Sequence, residues 1–206
     1  MHIKIRDRVF PVESASLSGS LADPYWCAKW GGGEAPKPGL TLEINASSVA
    51  HDEADWKPKL YHDWLTFPSR DWRHIANRTL TWRAEHDPDP SGCMYIFEHA
   101  SVHASELRFG GRTGSSFAIE WRGVCDIFWD SSEYGEHVPF EAIADARFTD
   151  VLLHGSARDS DASFRKRFDL HFAVADFDQG PIVPGHGTYD DGVTMTSCRF
   201  TPRTES

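Results

Sequence analysis

The chain has 206 residues, 40% of them hydrophobic and 25% charged, with a formal net charge of −10. A chain of this length buries roughly 70% of its unfolded surface without any staple, and it holds no apolar run of about 18 residues that would span a bilayer. Its acidity repels nucleic acid and anionic membrane and suits a basic protein partner or plain solubility.

Ile3 and Ile5 alternate with His2, Lys4 and Arg6, which predicts a first strand. Arg6-Asp7 turns it into a second strand over residues 9–12, at an edge because Pro11 has no N–H to give. These first residues lack the apolar core of a secretory signal, so a cytoplasmic location is expected. Residues 14–39 read as a small, polar, Gly/Pro-rich loop carrying Trp26 and Trp30. Leu40, Leu42 and Ile44 mark the next strand, and 51–58 is a polar, acidic connection before an aromatic-rich strand over 60–67.

One short helix is predicted over 69–77, with Ser69 as N-cap, Trp72 and Ile75 on one face, and Asn77 in the left-handed position that ends it. Residues 78–85 and 93–100 read as a hairpin across a connection dense in Asp, Pro and Gly. A strand over 106–111 follows, then a Gly-rich turn over 112–116.

The clearest element is a strand over 117–129. Its odd residues, Phe117, Ile119, Trp121, Gly123, Cys125, Ile127 and Trp129, are apolar throughout, and a 3.6-residue period would scatter them. An acidic loop, 130–139, follows. Residues 150–155 match the pattern of 106–111, and Phe168, Leu170 and Phe172 match Phe117, Ile119 and Trp121. This suggests that one long hairpin recurs as a pseudo-repeat, 97–129 and 140–177. After a Gly/Pro/Asp-rich loop over 179–192, a last strand covers 193–200.

The expected fold is a single all-β domain over 1–206. It is an antiparallel β-sandwich or barrel of about nine or ten strands, because no helical crossovers join the strands. Cys27, Cys93, Cys125 and Cys198 form no C-x-x-C pair, so free thiols are expected rather than a zinc site.

No cofactor or metal is expected. His99 and His103 would lie about 13 Å apart along a strand, too far to share an ion. The Gly110–Ser116 stretch is followed by a strand rather than a helix, so it reads as a turn and not as a phosphate loop. Glu120 and Asp126 share a face but stand about 20 Å apart, too far for a two-carboxylate glycosidase pair. His186, between two glycines in Pro-Gly-His-Gly-Thr-Tyr-Asp-Asp-Gly, is the most catalytic-looking residue. Trp56, Trp64, Trp72 and Trp82 beside charged neighbours read as covers over a core.

These readings favour a non-enzymatic cytoplasmic protein-binding module with the profile of bacterial immunity proteins, which neutralise toxins by binding them. The partner would be basic and would meet Asp130, Glu133, Tyr134 and Glu136 on the acidic loop. Two alternatives stand beside it. One is a β-sandwich that binds a carbohydrate or other small ligand. The other is an enzyme using His186 and nearby acids.

Overall fold

The computed structural model describes residues 1–30, 37–51, 54–66, 69–83, 92–96, 99–127, 135 and 137–203. In chain order the elements are β1 (His2–Ile5), β2 (Arg8–Leu21), α1 (Pro24–Trp30), β3 (Pro38–Ala46), β4 (Val49–His51), β5 (Ala54–Trp56), β6 (Lys59–Leu65), a 3₁₀ turn (Trp72–Ile75) and β7 (Thr79–Thr81). Then come β8 (Cys93–Tyr95), β9 (His99–Thr113), β10 (Ser116–Cys125), β11 (Val138–Ser156), α2 (Asp161–Asp169), a 3₁₀ turn (Val174–Asp176), β12 (Phe177–Thr188) and β13 (Thr194–Pro202). The β1–β11, β10–β11 and β11–β13 pairs are antiparallel, and eleven strands join one sheet, so the fold is all-β. The chain divides into two compact units: Met1–Ser16, Leu42–Asp63 and Ile75–Arg147; and Leu17–Thr41, Trp64–His74 and Phe148–Ser206.

In the first unit the strand path closes. The order runs β1-β2-β3-β6-β8-β9-β10-β11, and β1 pairs with both β2 and β11. A ring of eight strands leaves an interior just wide enough for side chains to fill. The filling is legible across one strand pair, because β10 and β11 set large residues opposite small ones. Phe117 faces Ala146, Ile119 faces Ala144, Trp121 faces Ala142, and Gly123 faces Phe140. All except the glycine are buried. The odd face of the long predicted strand is therefore the inner face of β10, although the strand ends at Cys125, and Trp129 lies outside the described residues.

Gly123 is required where it stands. The β9–β10 register shifts between Arg122 and Val124, and Ala104 on the bulged strand takes φ 42°. The bulge drives Ser105 so close that a Cβ on Gly123 would sit 2.6 Å from the Ser105 Cβ. Ser105 is itself buried, and its Oγ accepts a hydrogen bond from Trp121 Nε1 at 3.2 Å.

The second unit is built on stacked phenylalanines. Phe168 of α2 lies 4.0 Å from the Phe200 ring in a parallel stack and meets Phe172 and Phe177 at 5.0 and 4.8 Å. Trp72 closes one side against Phe148. α2 begins with a reciprocal cap: Ser160 Oγ accepts from the Ser163 N–H, and Ser163 Oγ accepts from the Ser160 N–H. Phe164 and Phe168, four apart, then share the buried face.

Several expectations are corrected. Phe168, Leu170 and Phe172 do not form a strand. Phe168 lies in α2, the other two follow it, and Leu170 is 68% exposed. The capping box and the i,i+4 aromatic pair outweigh the period-two pattern here. The stretch 14–24 is mostly the second half of β2, followed by the start of α1, and 179–192 is largely β12. The polar stretch 51–58 takes part in a small β4–β5 hairpin. Residues 79–81 pair with β9, not with 93–95, because β8 is already flanked by β6 and β9. Pro11 does not mark a sheet edge, since β2 lies between β1 and β3. The 69–77 helix is reduced to one 3₁₀ turn, with Asn77 at φ 62°.

Trp56 and Trp72 are buried, Trp82 is half-buried, and Trp64 is 51% exposed, so three of the four tryptophans cover the core. All four cysteines are free. Burial pushes the Cys125 thiol up to about 12, which leaves it unreactive.

One buried group in the first unit ties stability to pH. His62 packs against Trp82 and Trp121, with ring centroids 4.8 and 6.0 Å away, and its Nε2 has no hydrogen-bond partner among the described residues. Burial holds its pKa below the usual value. An unfolded imidazole titrates near about 6.5. Between that value and the lower native one, the unfolded chain binds a proton that the native chain refuses. The contribution of His62 is therefore complete above about pH 6.5 and is lost as pH falls through the native pKa. Urea denaturation at neutral pH and at pH 5 is expected to show a larger loss for the wild type than for His62→Phe. Equal losses would show that His62 is not the group responsible.

Candidate functional site

The strongest candidate lies wholly in the second unit. It is a cavity of ≈ 280 Å³ lined by Asp23, Tyr25, Arg158, Arg167, Tyr189 and Asp191, among others.

Each lining group is set by local structure. Asp23 caps α1, and its Oδ1 accepts from the Tyr25 N–H at 2.7 Å. Pro24 follows as the first helical residue, where a missing N–H costs nothing. Tyr189 ends the β12 side of a tight turn closed by Tyr189 N–H to Val193 O at 2.9 Å. Its hydroxyl hydrogen-bonds Asp23 Oδ2 and stands 2.8 Å from Gly155 O. Burial, and then the hydrogen bond to Asp23, push the Tyr189 phenol well above its ordinary pKa, so it remains a donor at neutral pH.

Arg158 and Asp191 pair at 2.9 Å at the mouth. Asp191 is held below the usual carboxylate range, chiefly by the Val193 N–H and then by Arg158. Arg167 projects from α2 over the Phe164 ring, with Cζ 4.7 Å from its centroid. Its Nη1 donates to His154 O at 3.1 Å, and its Nη2 stands 3.7 Å from Asp159 Oδ2. Asp159 is fixed in turn by the Ser156 N–H at 2.8 Å and the Ser163 hydroxyl at 3.1 Å. A Cβ on Gly155 would meet Arg167 Nη2, Asp159 Oδ2 and Phe164 Cζ within 2.6–2.7 Å, so only glycine admits this arrangement. Beside the cavity, Asp190 accepts from the Tyr25 hydroxyl at 2.7 Å and pairs with Lys29.

The residues singled out from sequence are not gathered here. His186 is exposed on β12, three residues before Tyr189. His99 is exposed beside Tyr61 and Tyr95, and His103 pairs with Asp126 at 3.5 Å. Glu120 pairs with Arg122, which also bridges to Glu141 at 2.8 Å. Gly110 and Gly111 face Ala118 across a second register shift, and Gly114-Ser115 forms a two-residue turn. Asp130, Glu133, Tyr134 and Glu136 lie outside the described residues. Among the described residues no three His, Cys, Asp or Glu side chains gather to hold a metal ion.

Two signals for the cavity were present in the sequence. Asp23-Pro24 is a helix-start pair, and Tyr189-Asp190-Asp191-Gly192 shares the motif that drew attention to His186. Their meeting across 166 residues was not legible. Compared with known proteins, the chain matches no family model, no curated sequence and no solved structure.

Proposed function

We propose that this chain is a non-enzymatic binding protein that takes a small polar ligand into the cavity of its second unit. The observation that carries this reading is the cavity itself. Its ≈ 280 Å³ lies near the lower end of the volumes that hold small ligands, and buried Asp23 and Tyr189 converge on it. Binding rather than catalysis is favoured because the lining contains no histidine, and Ser156 Oγ is tied to Asp159 and the Arg158 N–H.

The test is an NMR screen of small polar fragments against the wild type and Val193→Phe, a change that fills the mouth without touching the buried acids. Fragments that bind the wild type are expected to be excluded by the substitution. A screen without binders, or with binders indifferent to Val193→Phe, would overturn the reading.

A second reading is recognition of a basic protein partner by Asp130, Glu133, Tyr134 and Glu136. What supports it is the anchoring of that loop's ends. Cys125 pairs with Val138, the His137 N–H donates to Asp126 Oδ1 at 2.9 Å, and the Ile127 N–H donates to Gly135 O at 3.0 Å. The association rate of a partner retrieved from the native host should fall with added salt and with Glu133→Lys plus Glu136→Lys. A rate indifferent to both would exclude this reading.

A further inference from the structure

We infer that the occupant of the second-unit cavity carries an ammonium group, seated on the Asp23 carboxylate against the rings of Tyr25 and Tyr189. The inference rests on reading this cavity as the ligand site and names the ligand's chemistry.

The argument begins with charge. The lining holds three carboxylates, Asp23, Asp159 and Asp191, and two guanidiniums, Arg158 and Arg167. Arg158 is matched to Asp191 at 2.9 Å, and Arg167 faces Asp159 at 3.7 Å. Asp23 is left, and no cation pairs with it among the described residues, although it is only 6% exposed. A carboxylate that far from water is costly unless a charge or several hydrogen bonds compensate it.

Two bonds are in place, from the Tyr25 N–H to Oδ1 and from the Tyr189 hydroxyl to Oδ2. An ionised carboxylate offers about four acceptor positions. About two therefore remain, which suits a group with several N–H donors and a positive charge. The walls agree. The Tyr25 and Tyr189 rings meet edge to face at 4.8 Å, and the Tyr25 ring already attracts a cation, with Lys29 Nζ 5.8 Å from its centroid.

An anionic occupant is disfavoured by the same geometry. The donors that would attract it, Arg167 Nε and Nη2, lack hydrogen-bond partners among the described residues and are closed off from solvent. The guanidinium at the mouth, Arg158, is already engaged by Asp191.

Three ligands of one shape and different charge test this: benzylamine, benzyl alcohol and benzoate. Each is titrated into the wild-type protein, following the NMR signals of residues 23–25 and 189–193. Benzylamine is expected to bind at least tenfold tighter than the other two. Asp23→Asn keeps one oxygen to accept from the Tyr25 N–H and removes the charge, and its amide nitrogen can donate to the Tyr189 hydroxyl while that hydroxyl donates to Gly155 O. It is expected to leave the melting temperature near that of the wild type and to abolish the preference for the amine.

Benzoate or benzyl alcohol binding as tightly as benzylamine would overturn the inference, as would a preference that survives Asp23→Asn or a failure of all three to bind. The comparison on the wild type stands even if Asp23→Asn does not fold. Val193→Phe separates the two levels. If benzoate binds and Val193→Phe excludes it, the cavity reading survives and the ammonium falls. If no fragment of any charge responds to Val193→Phe, both fall.

Discussion

Replacing Trp121 with Ala is expected to lower the stability of the protein by about 3–5 kcal/mol, the range for truncating a large buried aromatic. The indole is fully buried inside the eight-stranded ring and fills the space that Ala142 leaves across the β10–β11 pair. It meets Phe140 edge to face at 6.1 Å and donates to Ser105 Oγ. Alanine therefore opens a cavity walled by neighbours that strand pairing holds in place. It also removes the hydrogen bond that Trp121 Nε1 donates to the buried Ser105 hydroxyl. Urea denaturation reads the effect directly. A midpoint within error of the wild type would mean that Trp121 does not fill the ring.

The second large effect is expected in the other unit. Phe168→Ala should cost about 3–5 kcal/mol, because the ring is stacked on Phe200 and touches Phe172 and Phe177. Leu170→Ser, two residues away, should change stability by no more than about 0.5 kcal/mol, because the side chain is 68% exposed. The contrast is diagnostic. A strand over these residues would bury Phe168, Leu170 and Phe172 together, so both substitutions would be severe. The helix buries Phe168 and leaves Leu170 in solvent. Equal, large losses would refute the assignment of α2. A neutral Phe168→Ala would refute the aromatic core. Because α2 also carries Arg167 to the cavity wall, the Phe168 variant should also lose the fragment binding proposed for that cavity.

These two residues mark where reading the chain succeeds and where it stops. The inner face of β10 was legible because alternation over ten residues is a local property, and nothing in a helix reproduces it. The long β9–β10 hairpin, its Gly114-Ser115 turn and the left-handed Asn77 were legible for the same reason: each depends on neighbouring residues alone. Over 161–172 the local signals conflict. Phe168, Leu170 and Phe172 fit a strand, while Ser160, Ser163, Phe164 and Phe168 fit a capped helix. The Phe200 and Phe177 rings, contributed by β13 and β12, favour the helix.

The β12 strand was hidden because Gly180, Pro181, Pro184 and Gly185 carry turn chemistry. Its place at one end of the sheet order explains the tolerance, since an edge strand has one side free of ladder bonds. The bulge at Ala104 and Ser105 was equally hidden. It exists because Gly123, on another strand, leaves room for Ser105.

Composition and residue order were thus sufficient for the all-β class, the principal strands and the apolar faces, since alternation, turn chemistry and side-chain volume act over a few residues at a time. Closure of the first unit into a ring was decided only in three dimensions, by β1 pairing with β11 more than 130 residues away. The cavity of the second unit was decided there too. Asp23 and Tyr189 are ordinary residues in sequence, a helix cap and a turn tyrosine. They become a buried acid and its donor only when pairing of β11, β12 and β13 brings Gly155 and the Tyr189 turn to the start of α1. Long-range pairing, which no local pattern encodes, is the physical reason.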